Sequence, residues 1–259
     1  MMMDRHRLRA ELAAAGLRPG MSVLVHCSMR QIGWVTGGAK ALRDAILDVL
    51  GADGTLVVPT QTRSKSATSP DFISSIAHLE DEDRELHLKR MQGFDPLTTP
   101  SEGMGALAES VRTHVGAYRS AHPTTSFAAV GRQADTLCAV HPLDCLLGVR
   151  SPLGALRDLD GSVLLLGVGY DKCTAFHLGE DAAFLDERSY RCKIGERWTD
   201  FRGFAHRDGD FAELGTRFEA AHGARIRTGL VGAAATRLFP LALAAEFAER
   251  ELPELRFAR

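Results

Sequence analysis

The stretch Ser162-Val-Leu-Leu-Leu-Gly-Val-Gly-Tyr-Asp-Lys-Cys-Thr-Ala-Phe-His-Leu-Gly-Glu180 decides the reading of the fold. Its first part, Ser162 to Val168, is a short, almost wholly aliphatic run, the pattern of a strand buried on both faces. Such strands belong to sheets covered by helices, and open α/β sheets place their sites beyond the carboxyl ends of the strands. Chemistry is therefore expected in the second part. The spacing predicts a helix over 174–184, on which Thr174, His177 and Glu180 stand at successive i, i+3 steps and share one face. Two readings of His177 and Glu180 follow. One is an exposed pair worth ~0.2–0.5 kcal/mol. The other is an imidazole oriented by a carboxylate and made a stronger base, as attack by an amine requires. Gly167-Val-Gly169 does not complete a dinucleotide fingerprint, because Lys172 stands at the third glycine's place. Cys173, one turn before His177, is a candidate nucleophile or, with His177, a candidate metal ligand.

Outward from this segment the pattern is that of an α/β chain. Ser22 to His26 reads as a buried strand, Gly37-Gly38 opens an apolar-periodic helix that runs to Leu50, and Thr55 to Pro59 reads as the next strand, completing a βαβ unit. Helices are expected over 4–15, 102–112, 210–222 and 234–250, and a strand over 126–130. Residues 63–92 form a polar insertion, read as a helical lid or loop, with the acidic run Glu80-Asp-Glu-Asp-Arg-Glu85. That run is either a solvated helix face or an attractor for a cationic substrate. No linker divides the chain, so residues 1–259 are expected to fold as a single domain.

Composition narrows the function. With 31 Lys and Arg against 33 Asp and Glu, the net charge of -2 provides no field to gather nucleic acid. Charges between Asp4 and Glu11 break any signal peptide, and no apolar run is long enough to span a membrane. A cytoplasmic protein with no nucleic-acid or membrane partner is expected. The 5 cysteines lack CxxC spacing, which suits reduced thiols better than disulfides or a structural zinc site, and no metal is expected.

Three further loops hold candidate binding residues. His26-Cys-Ser-Met-Arg-Gln-Ile-Gly33 leaves a strand for a helix and can present backbone N–H groups to an anion or a carbonyl. In Phe94-Asp-Pro-Leu-Thr-Thr-Pro-Ser-Glu-Gly-Met-Gly105, Thr99 or Ser101 can cap a helix starting near Glu102, and the hydroxyls and N–H groups suit a diphosphate or a pantetheine amide. Each loop also has an ordinary structural reading as a glycine turn or a capped helix. His122, in Arg119-Ser-Ala-His-Pro123, is either structural or drawn into chemistry by the hydroxyls around it.

In this order the segments resemble the aminoglycoside 3-N-acetyltransferase family. The matching pieces are His26-Cys-Ser-Met29 with Ile32-Gly33, Pro59-Thr-Gln-Thr62, Phe94-Asp-Pro96 with Thr99-Pro-Ser101 and Met104-Gly105, Arg119-Ser-Ala-His-Pro123 with Ser126-Phe127, Ser151-Pro-Leu153, and Leu164-Leu-Leu-Gly-Val-Gly169 with Asp171, Thr174, His177 and Glu180. The likeness runs from about Ser22 to Glu180 and weakens beyond. It implies an α/β fold on a mixed central sheet flanked by helices, unlike the GNAT acetyltransferases. It implies acetyl-CoA as donor and direct transfer to a small-molecule amine.

The resemblance also implies that His26, Cys27, Ser28, Met29, Gly33, Thr98, Ser101, Met104 and Gly105 line the CoA channel. His177 would then sit at the acceptor end, oriented by Glu180 or Asp171, with Thr174 or N–H groups near Ser28 supporting the oxyanion. The family usually has a serine where this chain has Cys27, and Asn or another small polar residue at the Cys173 position. Related enzymes act on other amines, including aminophosphonate intermediates of antibiotic biosynthesis, so antibiotic resistance does not follow from membership. Two other functions stand beside this one: a non-catalytic CoA-binding module of the same fold, and a metal-dependent hydrolase using His26, Cys173 and His177. The assembly is left open between monomer and homodimer.

Overall fold

A computed structural model of the protein describes residues 3–180 and 186–257. In chain order the elements are α1 (Arg5–Ala14), β1 (Ser22–Cys27), α2 (Met29–Ile32), α3 (Gly38–Leu50), β2 (Thr55–Pro59), α4 (Pro70–Ile76), α5 (Asp81–Arg90), α6 (Gly105–Arg112), β3 (Tyr118–Arg119) and β4 (Phe127–Gly131). They continue with α7 (Ala134–Ala139), α8 (Pro152–Asp158), β5 (Ser162–Leu166), β6 (Asp186–Ile194), β7 (Arg197–Ala205), α9 (Phe211–His222), β8 (Arg227–Val231), β9 (Ala234–Pro240) and α10 (Leu241–Phe257).

Among the described residues, seven strands form one mixed sheet in the order β3-β4-β2-β1-β5-β9-β8. At its centre β1 runs parallel to both β2 and β5, while β4, β9 and β8 join antiparallel. The strands read as continuous apolar runs because both faces are covered. Alternate residues feed opposite cores. Leu24, Val57, Val163 and Leu165 pack with α7 to α10, whereas Val23, Val25, Leu56, Leu164 and Leu166 pack with α1, α3 and α6. Burying each such aliphatic side chain contributes about 1.5–3 kcal/mol, and truncating one in the centre of the sheet leaves a cavity on top of that loss. The expected βαβ unit is β1-α3-β2. Its helix starts after Gly37 in the left-handed region and stops at Gly51, with Leu42, Ile46, Val49 and Leu50 on the buried face.

Several boundaries differ from expectation. Residues 234–250 are not one helix: Ala234–Pro240 is strand β9, hydrogen-bonded along β5, and the helix begins at Leu241. The helix expected over 174–184 is a 3-10 segment, Thr174–Gly179, and residues 181–184 lie outside the described residues. The helix expected from Glu102 starts at Gly105 with Met104 as N-cap and no side-chain cap. Instead, Thr99 Oγ1 accepts from the Asp95 N–H and the Ser101 N–H donates to Glu109.

The insertion at 63–92 carries α4 and α5 and is stitched to the hairpin β6-β7. The Ala67 N–H donates to Arg191 O, the Phe94 N–H donates to Lys193 O, and the buried Lys193 ammonium donates to Met91 O at 2.6 Å. Helix α5, which carries the acidic run, buries none of its residues, as a solvated face requires. Among the described residues no helix is long and apolar enough to cross a membrane.

Two buried histidines brace the loops beside β4. His122 Nε2–H donates to Leu143 O, and its Nδ1 accepts from the N–H groups of Thr124 and Thr125. His141 Nε2–H donates to Leu146 O, and its Nδ1 takes the Ser120 hydroxyl. The two N–H donors require a neutral His122, and the contacts of His141 fit a neutral ring as well. Burial pushes His122 down to about 3 and His141 to about 4. His26 is also pushed down to about 4, by burial first and His177 second. Between those values and the unfolded value near 6.5 the unfolded chain binds more protons, so stability falls as pH drops through that window. The loss is on the order of a few kcal/mol per ring by the bottom of the window. Urea unfolding at pH 7 and pH 4.5 is expected to show a large fall in midpoint, and equal midpoints would refute the neutral-histidine assignment.

Candidate active site

The loops leaving β1 and β5 meet at the carboxyl edge of the sheet, where a cleft of about 970 Å³ opens. One wall is the β1-α2 loop, with His26, Cys27, Ser28 and Met29, and another is the turn Gly103-Met104-Gly105. A third comes from the insertion, through Ser66 to Asp71, and a fourth from the hairpin and the residues after it, through Arg188 to Tyr190, Ala205, His206 and Asp208. Asp171, Thr174 and His177 close the inner end.

Three expected binding residues lie elsewhere. Gly33 ends α2 with φ 98°, Thr98 gives its N–H to Asp95, and Ser101 gives its N–H to Glu109; none of them lines the cleft. The Ser28 N–H is spent on Leu166 O and does not face a ligand. Glycine is required at Gly105, whose φ of 83° sits where an added Cβ would stand 3.7 Å from Cys27 O.

At the inner end the 3-10 geometry does what a helix was expected to do, since i and i+3 positions eclipse one another. His177 Nδ1–H donates to Glu180 Oε2 at 2.6 Å, and Thr174 Oγ1 lies 3.1 Å from His26 Nε2. The Glu180 side chain is completely buried. Gly179 lets this segment lie on α10, because any Cβ there would strike the Glu249 backbone nitrogen and Ala248. Asp171 does not orient His177; its carboxylate pairs with Lys172 at 3.0 Å and is half exposed.

The partners that sequence reasoning missed come from far along the chain. His206, just past β7, donates from Nδ1 to the same Glu180 Oε2 at 2.5 Å. Arg256, in the last turn of α10, meets Glu180 Oε1 at 2.7 Å, and the Arg207 N–H donates to that oxygen at 3.2 Å. Burial alone would raise Glu180, but the hydrogen bonds from His177 and His206 outweigh it and hold the carboxyl well below its usual range. His206 is lowered, chiefly by burial, with the Glu180 hydrogen bond opposing. Because both imidazoles spend Nδ1–H on the carboxylate, a neutral ring carries its lone pair on Nε2. His177 Nε2 has no protein partner among the described residues, and the ring lines the cleft.

His177, Glu180 and His206 each bring one ligand atom within 4.8 Å of the others, the count a metal ion needs. The chemistry of the set argues for protons instead: both nitrogens sit at hydrogen-bond distance from one oxygen, and the Arg256 cation occupies the other. The trio His26, Cys173 and His177 does not form such a cluster. Cys173 is fully buried, and burial pushes its thiol up to about 12, leaving no thiolate at neutral pH. Cys173→Ala is accordingly expected to change the acetyl-transfer rate less than about threefold, whereas a loss of a hundredfold, with an acetylated enzyme trapped by mass spectrometry, would establish a cysteine route.

The family model and the solved relatives mark this mixed-sheet fold as that of an acyltransferase distinct from the GNAT type. The family model for aminoglycoside 3-N-acetyltransferases matches residues 24–253, and the chain belongs to that family. The match covers the C-terminal third of the chain as well. The aminoglycoside N(3')-acetyltransferase-like protein YokD of Bacillus subtilis is 36% identical over 252 residues, 95% of this chain and 91% of that one. Its crystal structure aligns with a TM-score of 0.87 at 34% identity, covering 96% of this chain and 98% of that one. Aminoglycoside N(3)-acetyltransferase IX of Micromonospora chalcea is 36% identical over 255 residues, covering 91% of this chain and 88% of the relative. The structure described as AAC-IIIb binary with CoASH aligns at TM-score 0.85 and 28% identity, over 99% of this chain and 98% of that one.

Proposed function

We propose that this protein transfers the acetyl group of acetyl-CoA to an amine of an aminoglycoside, with His177 as general base. One observation carries the reading: a buried carboxylate fixes the His177 ring through Nδ1 and leaves Nε2 without a partner among the described residues, on a ring that lines a cleft of about 970 Å³. An alkylammonium ion has no lone pair, so the neutral amine must be made or bound before attack. His177 Nε2 accepts the amine proton directly or through one water as nitrogen bonds to the thioester carbon. The tetrahedral adduct collapses, the carbon–sulfur bond breaks, and the imidazolium returns its proton to the thiolate, leaving the amide and CoA.

The β1-α2 loop and the Gly103–Gly105 turn fit the donor's pantetheine arm, being apolar through Met29 and Met104 and open through glycine. The Thr174 hydroxyl, held by His26, is the donor to the developing oxyanion. His26 stays neutral above pH 4 or so, since burial holds it down to about 4. Asp171 and Asp208, both exposed at the base end of the cleft, would hold the remaining ammonium groups of a polycationic acceptor. Arg188 on the hairpin wall favours a second acceptor class, an amine that also bears an anion such as an aminophosphonate.

Thiol release from acetyl-CoA, measured with a panel of aminoglycosides, aminophosphonates and simple amines, tests both. Turnover with an aminoglycoside supports the first reading, and preference for an aminophosphonate supports the second. No release with any acceptor, despite CoA binding, identifies a non-catalytic module. Activity abolished by a chelator and restored by zinc would instead assign the His177-Glu180-His206 cluster to a metal.

A further inference from the structure

Glu180 is held from both of its oxygens. The groups facing it are His177 on its own segment, His206 and the Arg207 N–H after β7, and Arg256 on α10; Asp210 stands beyond Arg256, and His26 lies against His177. The Arg256 side chain is only 11% exposed and forks between two carboxylates: Nη2 meets Glu180 Oε1 at 2.7 Å, and Nε meets Asp210 Oδ2 at 2.5 Å. Its Nη2 also donates to the Arg207 carbonyl at 2.9 Å. The guanidinium thus clamps the end of α10 to the segment that follows β7 and to the Glu180 carboxylate at once.

We infer that Arg256 is a positioning residue for the acetyl transfer: by occupying Glu180 Oε1 it turns Oε2 toward both imidazoles and so fixes the ring and the Nε2 lone pair of His177. The inference rests on the reading of His177 as the base. A carboxylate free to rotate would offer either oxygen to either ring, and the His177 tautomer would no longer be set by a single geometry. Charge points the same way. Glu180 and Asp210 bring two negative charges against the one positive charge of Arg256, and removing that charge makes His206, which shares Glu180 with His177, easier to protonate. Lysine keeps the charge but cannot span both carboxylates with a planar fork.

The test compares R256Q, R256K, E180Q and H177A by thiol release across pH, with thermal unfolding and the ring ¹⁵N shifts of His177 as readouts independent of turnover. R256Q is expected to lower kcat about 10–100-fold with the KM for acetyl-CoA within about twofold. Its acid limb of kcat/KM should move to higher pH by roughly half to one unit, and its His177 nitrogens should show mixed tautomers. R256K should keep the wild-type acid limb and recover part of kcat. If R256Q loses only thermal stability, with an unshifted acid limb and an unchanged His177 tautomer, Arg256 is a structural clamp and the inference fails. Should R256Q not fold, R256K carries the same decision, because an intact tautomer at full kcat would show that the fork has no positioning role. Full activity in H177A or E180Q would sink the base reading itself, an outcome distinct from an unaffected R256Q.

Discussion

His177→Ala is expected to lower kcat by about 10²–10⁴-fold while the KM for acetyl-CoA stays within about twofold. Among the described residues the ring makes no hydrogen bond other than the one to Glu180, and on the proposed reading it serves the reacting amine rather than the body of CoA. Its loss therefore removes an interaction made in the transition state and little ground-state binding. A steady-state comparison at saturating acceptor decides the matter: equal losses in kcat and in acetyl-CoA affinity would mean that His177 builds the donor site instead.

Glu180→Ala is expected to harm both stability and activity. Removing a buried carboxylate takes one of two carboxylate partners from Arg256, which keeps Asp210, and leaves two buried imidazole N–H groups without their acceptor, a change that costs about 3–5 kcal/mol. In a chain of this size that corresponds to a fall in melting temperature of roughly 10 °C. The same carboxylate, held low in the folded state, contributes stability that is fully present above its unfolded value and is lost as pH falls through the acid range. The variant should thus differ most from the parent at neutral pH, and the two should converge in acid. A variant that melts with the parent at pH 7 would mean that the buried cluster stores no such stability.

The central strands were legible because a strand covered on both faces has to be apolar through its middle, and residues 163–166, 23–25 and 56–58 are uninterrupted aliphatic runs. Ala234–Pro240 reads as helix because its alanines and the apolar pair Leu238-Phe239 join directly onto the Ala- and Leu-rich start of α10, with no loop between strand and helix. The hairpin β6-β7 was missed because most of its side chains are polar and only part of one face is buried, although Gly195, with φ 53°, marks its turn.

The local half of the site, Thr174, His177 and Glu180, could be read from spacing, which survives the change from α to 3-10 helix. His206 and Arg256 could not, since only the fold brings the end of β7 and the last turn of α10 to Glu180, and neither residue sits in a motif. Asp171 was a reasonable candidate by proximity in sequence, but its neighbour Lys172 claims it.

The most direct measurement is a crystal structure of the protein with CoA and an aminoglycoside bound together. The reacting amine nitrogen should lie about 2.6–3.2 Å from His177 Nε2, or one water away, and face the CoA sulfur. An amine bound out of reach of that nitrogen, or an imidazole turned from the cleft with the sulfur beside another side chain, would contradict the assignment of His177 as the base.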